Sequence, residues 1–186
     1  MKRCEWCGED PVYVKYHDKV WGVPVFNERK LFEFLTLEGA QAGLSWITVL
    51  KKQPHYKKVF DNFDVNKIVH YNSRKVESLL KDPGIIRNRL KVQSTIGNAR
   101  AWLELKEQKI KPAEFLWQFV DGETKQNTWR SLKHLPSTTK ESDAMSKELK
   151  ARGFKFVGST ICYAFMQAVG MVNDHTTDCH RHSQLK

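Results

Sequence analysis

No apolar stretch in these 186 residues is long enough to cross a bilayer, which excludes a membrane-spanning helix. The opening Met1-Lys2-Arg3-Cys4-Glu5-Trp6 lacks the apolar run of a secretory signal, so a cytoplasmic location is expected. Internal repeats, low-complexity segments and the apolar–polar alternation of strands are also missing. Acidic residues are in short supply: 21 Asp and Glu stand against 31 Lys and Arg, a formal charge of +10. Such an excess points to a polyanionic partner, nucleic acid foremost. The plainer alternative is a basic protein that is merely well solvated. A membrane surface fits less well, because the basic residues are spread along the chain and not gathered on one amphipathic helix. Only four cysteines are present, Cys4, Cys7, Cys162 and Cys179, and disulfides are not expected.

The remaining pattern is helical and predicts one all-α domain spanning 1–186. Asn27 is placed to cap a helix from about Glu28, with Leu31, Phe34, Leu35 and Ala42 on one apolar stripe. Asp64 caps a short helix carrying Val65, Ile68 and Val69. Ser73 opens another with Val76, Leu79 and Leu80, and Asp82-Pro83-Gly84 stops it. Val92, Ile96, Ala99 and Leu103 mark a long helix, and Pro112 begins the next. Asp121-Gly122-Glu123 reads as a turn opening a polar loop near 121–141. Two last helices run from about Ser142 to Arg152 and from about Ser159 to Val172.

Between those two lies Gly153-Phe154-Lys155-Phe156-Val157-Gly158. Gly153 suits a left-handed helix end. Gly158 permits a tight turn, and Ser159 or Thr160 can cap the helix that follows. Free N–H groups at that helix start can hold a phosphate, and Lys155 can add a contact. The segment near 142–172 therefore looks like a helix–hairpin–helix that grips a DNA backbone; an ordinary glycine-capped hairpin is the alternative.

Glu38 falls on the apolar stripe of the first long helix, where an ionised carboxylate is costly unless paired or used. A Lys or Arg partner is the ordinary resolution. Gly39 and Gly43 weaken a helix, which suggests close approach by something else. Trp46 follows, and Trp6, Tyr13, Tyr16 and Trp21 crowd the preceding chain. Rings beside an acid form a receptor for a flat cation. Core packing is the alternative for every ring, and is the reading adopted for Trp102, Trp117 and Trp129.

These segments together resemble the bacterial type I 3-methyladenine DNA glycosylases. The resemblance is dense at Asp10-Pro11, Tyr16-His17-Asp18, Trp21-Gly22-Val23-Pro24, Leu37-Glu38-Gly39 and the run from Gln41 to Lys52. It continues at Gly84-Ile85-Ile86-Arg87, Ile96-Gly97-Asn98-Ala99-Arg100, Arg152 to Gly158, and Val172-Asn173-Asp174-His175 with Cys179. It covers nearly the whole chain, least at 121–141 and the last few residues.

The resemblance implies a helix–hairpin–helix glycosylase fold whose termini are joined by one structural zinc ion. By matching position its ligands are Cys4, His17, His175 and Cys179, two thiolates and two imidazoles suited to a closed site. The spacing from His175 to Cys179 fits one helical turn. Cys7 rivals Cys4, and His180 and His182 are rivals at the other end. The implied activity is removal of 3-methyladenine from double-stranded DNA by a monomer, leaving an abasic site uncut. Gly153, Lys155, Gly158 and Ser159 would hold the backbone, and Leu44 would fill the gap left by the extruded nucleotide. Trp46 would stack on the base, Tyr16 would hydrogen-bond nearby, Trp6, Tyr13 and Trp21 would line the walls, and Glu38 would pair with the cation and accept hydrogen bonds from the adenine edge. Related helix–hairpin–helix enzymes carry a catalytic Asp where this chain has Asn173; Asp174 is the only nearby substitute, and its neighbour His175 is better explained as a zinc ligand. The competing expectations are a non-catalytic DNA-binding protein and a broader alkyl-base glycosylase.

Overall fold

Ten successive residues of one helix, Leu31 to Ala40, are withdrawn from solvent. The chain is thus organised around a helix buried on every side, not one with an apolar stripe and a wet face. The computed structural model describes residues 1–186 and contains ten α-helices. They are α1 (Pro11–Lys19), α2 (Glu28–Gln41), α3 (Trp46–Val59), α4 (Val65–Ile68), α5 (Ser73–Lys81), α6 (Arg89–Glu107), α7 (Pro112–Trp117), α8 (Lys140–Ala151), α9 (Ser159–Ala168) and α10 (His180–Gln184). The buried helix is α2, and α3, α6, α7 and α9 pack around it. A single continuous hydrophobic core results.

Side-chain caps set most helix starts. Asn27 accepts from the Lys30 amide at 3.0 Å, and Asn72 and Asn88 do the same for α5 and α6. Asp10 accepts from Val12 at 2.9 Å while Pro11 occupies the first helical position. Thr139 and Ser142 cap each other reciprocally, so α8 starts at Lys140, two residues ahead of Ser142. Gly170, at φ 74°, ends the chain's run after α9 well short of Val172.

Several expectations need correction. Ala42 lies outside α2, as its C-cap with a non-helical ψ of 117°. Gly43 is also outside the helix; it is required by its φ of 78°, not by close approach, since nothing lies near it. The inward face of α6 is Val92, Thr95, Ala99 and Trp102, and Ile96 and Leu103 are only half-buried. Strand structure is not wholly absent: β1 (Lys125–Gln126) pairs in parallel with β2 (Val172–Asn173). That pairing draws the 121–141 segment back onto the core. Trp102 and Trp117 are core residues, but Trp129 is half-buried and spends its indole N–H on Asp174 at 2.8 Å.

The hairpin between α8 and α9 is braced from beneath. Gly153 takes the expected left-handed conformation, φ 83°. Asn98 of α6 accepts from the Lys155 amide at 2.8 Å and donates to the Lys155 carbonyl at 3.0 Å. Ser146 donates to the Val157 carbonyl at 2.7 Å. Neither Ser159 nor Thr160 caps α9; Gly158 is itself the cap, without any side-chain hydrogen bond. The first amides of α9 are therefore left free by the protein, a stronger form of the feature expected at this turn.

Candidate active site and the cluster beside it

Glu38 is 4% exposed and has no hydrogen-bond or ion-pair partner in the protein. Burial alone pushes its carboxyl up to about 8. The ordinary resolution of a buried acid is visible one turn and a half earlier on the same helix. Glu33, 3% exposed, pairs with Lys30 at 3.0 Å and Lys57 at 3.4 Å and accepts from Gln53. Glu38 has no such partner. Its carboxyl faces a cavity of about 170 Å³.

The walls of that cavity are the rings singled out from the sequence. Trp6, Tyr13, Tyr16, Trp21 and Trp46 all line it. Helix α1 supplies Tyr13 and Tyr16 one turn apart; Trp46 opens α3, directly after the loop that follows α2. The Trp6 ring lies 5.0 Å from Tyr13 and 4.9 Å from Trp21, and Tyr16 lies 5.5 Å from Trp46. These are tilted or edge-on contacts, not stacked pairs. Burial and the neighbouring Glu38 both push the Tyr16 hydroxyl up, so it stays a neutral donor.

Sequence reasoning missed four wall residues. Gln41 ends α2, Ala164 and Gln167 lie on α9, and Leu135 comes from the polar segment after β1. Only Gln41 carried a sequence signal, being one turn beyond Glu38; Leu135 is brought in by tertiary contacts alone. Leu44 is not in the wall. It stands 42% exposed at the apex of the α2–α3 loop. The Lys91 ammonium holds the base of that loop, donating to the carbonyls of Ala40 at 2.8 Å and Ala42 at 2.7 Å.

Asp174 is buried and faces four donors. Its Oδ1 accepts from Asn127 at 2.7 Å and Trp129 at 2.8 Å; its Oδ2 accepts from the Tyr163 hydroxyl at 2.6 Å and Gln167 at 2.7 Å. A carboxylate so saturated is a fastener for the 127–129 segment, not a free base.

Behind the aromatic wall, Cys4, His17, His175 and Cys179 bring their ligand atoms within 4.8 Å of one another, all buried. The rivals lie elsewhere. The Cys7 thiol faces the Gly8 carbonyl, His180 contacts the Lys2 carbonyl, and His182 contacts that of Asn127. The His175–Cys179 spacing is not a helical turn; Cys179 is the N-cap of α10, and its amide closes a turn on the Thr176 carbonyl. Each imidazole has an outer partner. His17 Nδ1 lies 2.8 Å from Asp18, which is held by Arg3. His175 Nε2 lies 3.2 Å from the Trp21 carbonyl. These contacts place the protons outward and turn His17 Nε2 and His175 Nδ1, both deprotonated, toward the two sulfurs. Two imidazole nitrogens and two thiols converging without water access match the donor set of a closed tetrahedral metal site.

Comparison with known proteins bears directly on this geometry. The model of the methyladenine glycosylase family matches residues 6–182. This chain belongs to that family. DNA-3-methyladenine glycosylase 1 of Escherichia coli (strain K12) is 51% identical over 179 residues, covering 96% of each chain. A crystal structure of 3-methyladenine DNA glycosylase I superposes with a TM-score of 0.95 at 53% identity, covering 96% of this chain and 98% of that one. A Tyr-to-Phe variant of such an enzyme, solved in complex with 3-methyladenine, has a TM-score of 0.92 at 32% identity and covers 97% of each chain. Within the methyladenine glycosylase family, then, this member keeps an unpaired acid, a ring-walled cavity of base size and a Cys/His cluster in one continuous body.

Proposed function

We propose that this protein is a DNA-3-methyladenine glycosylase that hydrolyses the N-glycosidic bond of the lesion and leaves an abasic site. The observation that carries the reading is Glu38, a buried carboxylate without a countercharge inside a protein of net charge +10. An acid left unpaired amid so many cations, its carboxyl raised to about 8 by burial, ionises against a cation that arrives from outside. The relatives named above carry that activity in their names, and one holds 3-methyladenine.

An adenine methylated at N3 is positively charged while still attached to the sugar. The Trp46 face and the surrounding rings attract it, and the Glu38 carboxylate neutralises it. The cavity, about 170 Å³, falls below the roughly 300–1,000 Å³ of sites for drug-sized ligands and suits a single base. The nucleotide must therefore leave the duplex to enter. When the glycosidic bond breaks, its electron pair goes to the base, which departs neutral. Water adds to the sugar carbon and its proton passes to solvent. No lysine lines the cavity, so no amine is placed for a Schiff base and strand cutting is not expected.

The free amides after Gly158, with Gly153, Lys155 and Ser159 beside them, hold phosphate as a helix–hairpin–helix does. Leu44 is the apolar wedge for the vacated stack; its exposure at a loop apex braced by Lys91 supports that role. Cys4, His17, His175 and Cys179 hold one structural zinc ion, which supplies no chemistry to the reaction. The protein acts as a monomeric single domain, in the cytoplasm with the DNA it repairs.

The test is release of free base from methylated duplex DNA, with the strands then examined for breaks. Free 3-methyladenine and intact strands are expected. Binding without base release would leave only a DNA-binding protein, and cut strands would overturn the monofunctional assignment.

A further inference from the structure

We propose that Lys91 is a positioning residue for extrusion of the damaged nucleotide, its ammonium locking the turn that presents Leu44. The inference rests on the glycosylase reading above and on Leu44 as the wedge. Helix α2 ends at Gln41, and Gln41-Ala42-Gly43-Leu44 forms a tight turn in which the Leu44 amide donates to the Gln41 carbonyl at 2.6 Å. Ala42 sits at φ −42°, ψ 117° and Gly43 at φ 78°. These are the angles of a type II turn, with glycine at the position that needs a positive φ. On the far side Ser45 is the N-cap of α3, its hydroxyl 2.8 Å from that of Thr48.

The turn does not enforce its own type. Turning over the central peptide, which joins Ala42 to Gly43, converts type II into type I. Glycine accepts either conformation, so residue 43 offers no resistance. Nor does packing: a Cβ added at Gly43 would meet nothing within 4 Å. The Lys91 ammonium supplies the restraint, donating to the Ala42 carbonyl at 2.7 Å and to the Ala40 carbonyl at 2.8 Å. The Ala40 bond alone would be an ordinary cap on the carbonyl end of a helix. The Ala42 bond is different. Ala42 lies beyond α2, and its carbonyl belongs to the peptide whose orientation distinguishes the two turns.

Lys91 lies on α6, which also holds the hairpin. Asn98, seven residues further along, brackets Lys155. The two contacts therefore leave α6 from one face, about 10.5 Å apart along its axis. One rigid helix thus locates both the wedge and the phosphate grip. A wedge must stand at a set distance from the contacts that hold the duplex, or it meets a base and not the gap. Lys91 neither lines the cavity nor bonds to the hairpin. Its contribution falls on the extruded state, apart from the binding of the base and of intact duplex.

The experiment is a double-mutant cycle of Lys91→Met and Leu44→Ala, read by single-turnover release of 3-methyladenine from methylated duplex DNA. Methionine keeps most of the stem and removes the donors. Lys91→Met should slow release about tenfold. Its affinities for free 3-methyladenine and for undamaged duplex should stay within about twofold of wild type. In the Leu44→Ala background the same substitution should cost little or nothing, because the turn then presents no wedge. A full loss that persists there makes Lys91 a general structural residue and overturns the proposal. So does an unmoved rate, or a free-base affinity that falls with the rate. A second variant leaves Lys91 untouched. Gly43→Ala disfavours the type II turn through its φ of 78° without a clash, so it should slow release while leaving free-base affinity in place; release at the wild-type rate refutes the lock. Wild type that releases no base sinks the glycosylase reading and this inference together. Release by wild type with Leu44→Ala harmless sinks the wedge and this inference, and leaves the glycosylase standing.

Discussion

Glu33 and Glu38 share a helix and a degree of burial, yet the first is ringed by lysines and the second by aromatic rings. Side chains of one chemistry are thus given opposite electrostatics by five positions of sequence. The consequence for Glu38 can be worked out with its sign. Its carboxyl is raised from 4.5 to about 8, so folding takes up a proton between those values. The resulting penalty is absent below pH 4.5, grows as pH rises to about 8 and is constant above. Glu38→Gln removes it, so thermal melts should show the variant more stable than wild type at pH 8 and nearly equal at pH 4.5. Excision should behave in the opposite sense. If the ionised form pairs with the cationic base, single-turnover excision by wild type climbs with pH toward 8, and Glu38→Gln loses ~100-fold and flattens the profile. A rate that falls over that interval would make Glu38 a proton donor instead.

Among the elements, the α8–α9 hairpin depends on a residue from outside it. Asn98 clamps both backbone groups of Lys155, and the next residue, Phe156, sits at φ 55° with its side chain against Gly39, the neighbour of Glu38. Asn98→Ala should cost about 1–3 kcal/mol in a denaturant titration. It should weaken affinity for undamaged duplex roughly tenfold, while affinity for free 3-methyladenine stays close to wild type. Loss of base binding alone would place the damage in the cavity and reject the clamp. Elements with a cap and a clean period were readable from sequence: α2 by Asn27, α4 by Asp64, α5 by its Asp82-Pro83-Gly84 stop. Two that build the cavity were not assigned. Helix α1 announces itself only by Asp10-Pro11, because its aromatic residues obscure the period, and α3 carries Pro54 in its interior. Glu38 and the five rings were identifiable from the residues, and the four Cys/His residues of the cluster through the family resemblance, which chose Cys4 over Cys7 and His175 over His180 and His182. Gln167 and Leu135 were not, because each reaches the site through the Asp174 network or the β1–β2 pairing, which no local pattern encodes.

At the scale of the whole molecule, the Cys/His cluster and the cavity share a wall. Trp21 gives its carbonyl to His175 and lays its ring 4.6 Å from that imidazole; Trp6 lies 5.3 Å from His17. Helix α1 carries Tyr16 into the cavity and His17, the next residue, into the cluster. A metal joining Cys4 and His17 to His175 and Cys179 would therefore fix two tryptophans of the cavity as well as the two ends of the chain. Such a metal would bind the folded state and not the unfolded one, and would stabilise accordingly. Purified protein should hold about one zinc per chain. Stripping it with a strong chelator should lower the melting temperature and weaken binding of free 3-methyladenine together, and zinc should restore both. DNA affinity should survive the treatment and keep its steep salt dependence, because the hairpin is braced by Asn98 and Ser146, not by the cluster. If chelation lowered DNA affinity as much as base affinity, the hairpin and the cavity would be one cooperative unit, and grip would not be separable from recognition. If metal analysis found none in active protein, the clasp would rest on buried thiol–imidazole contacts alone.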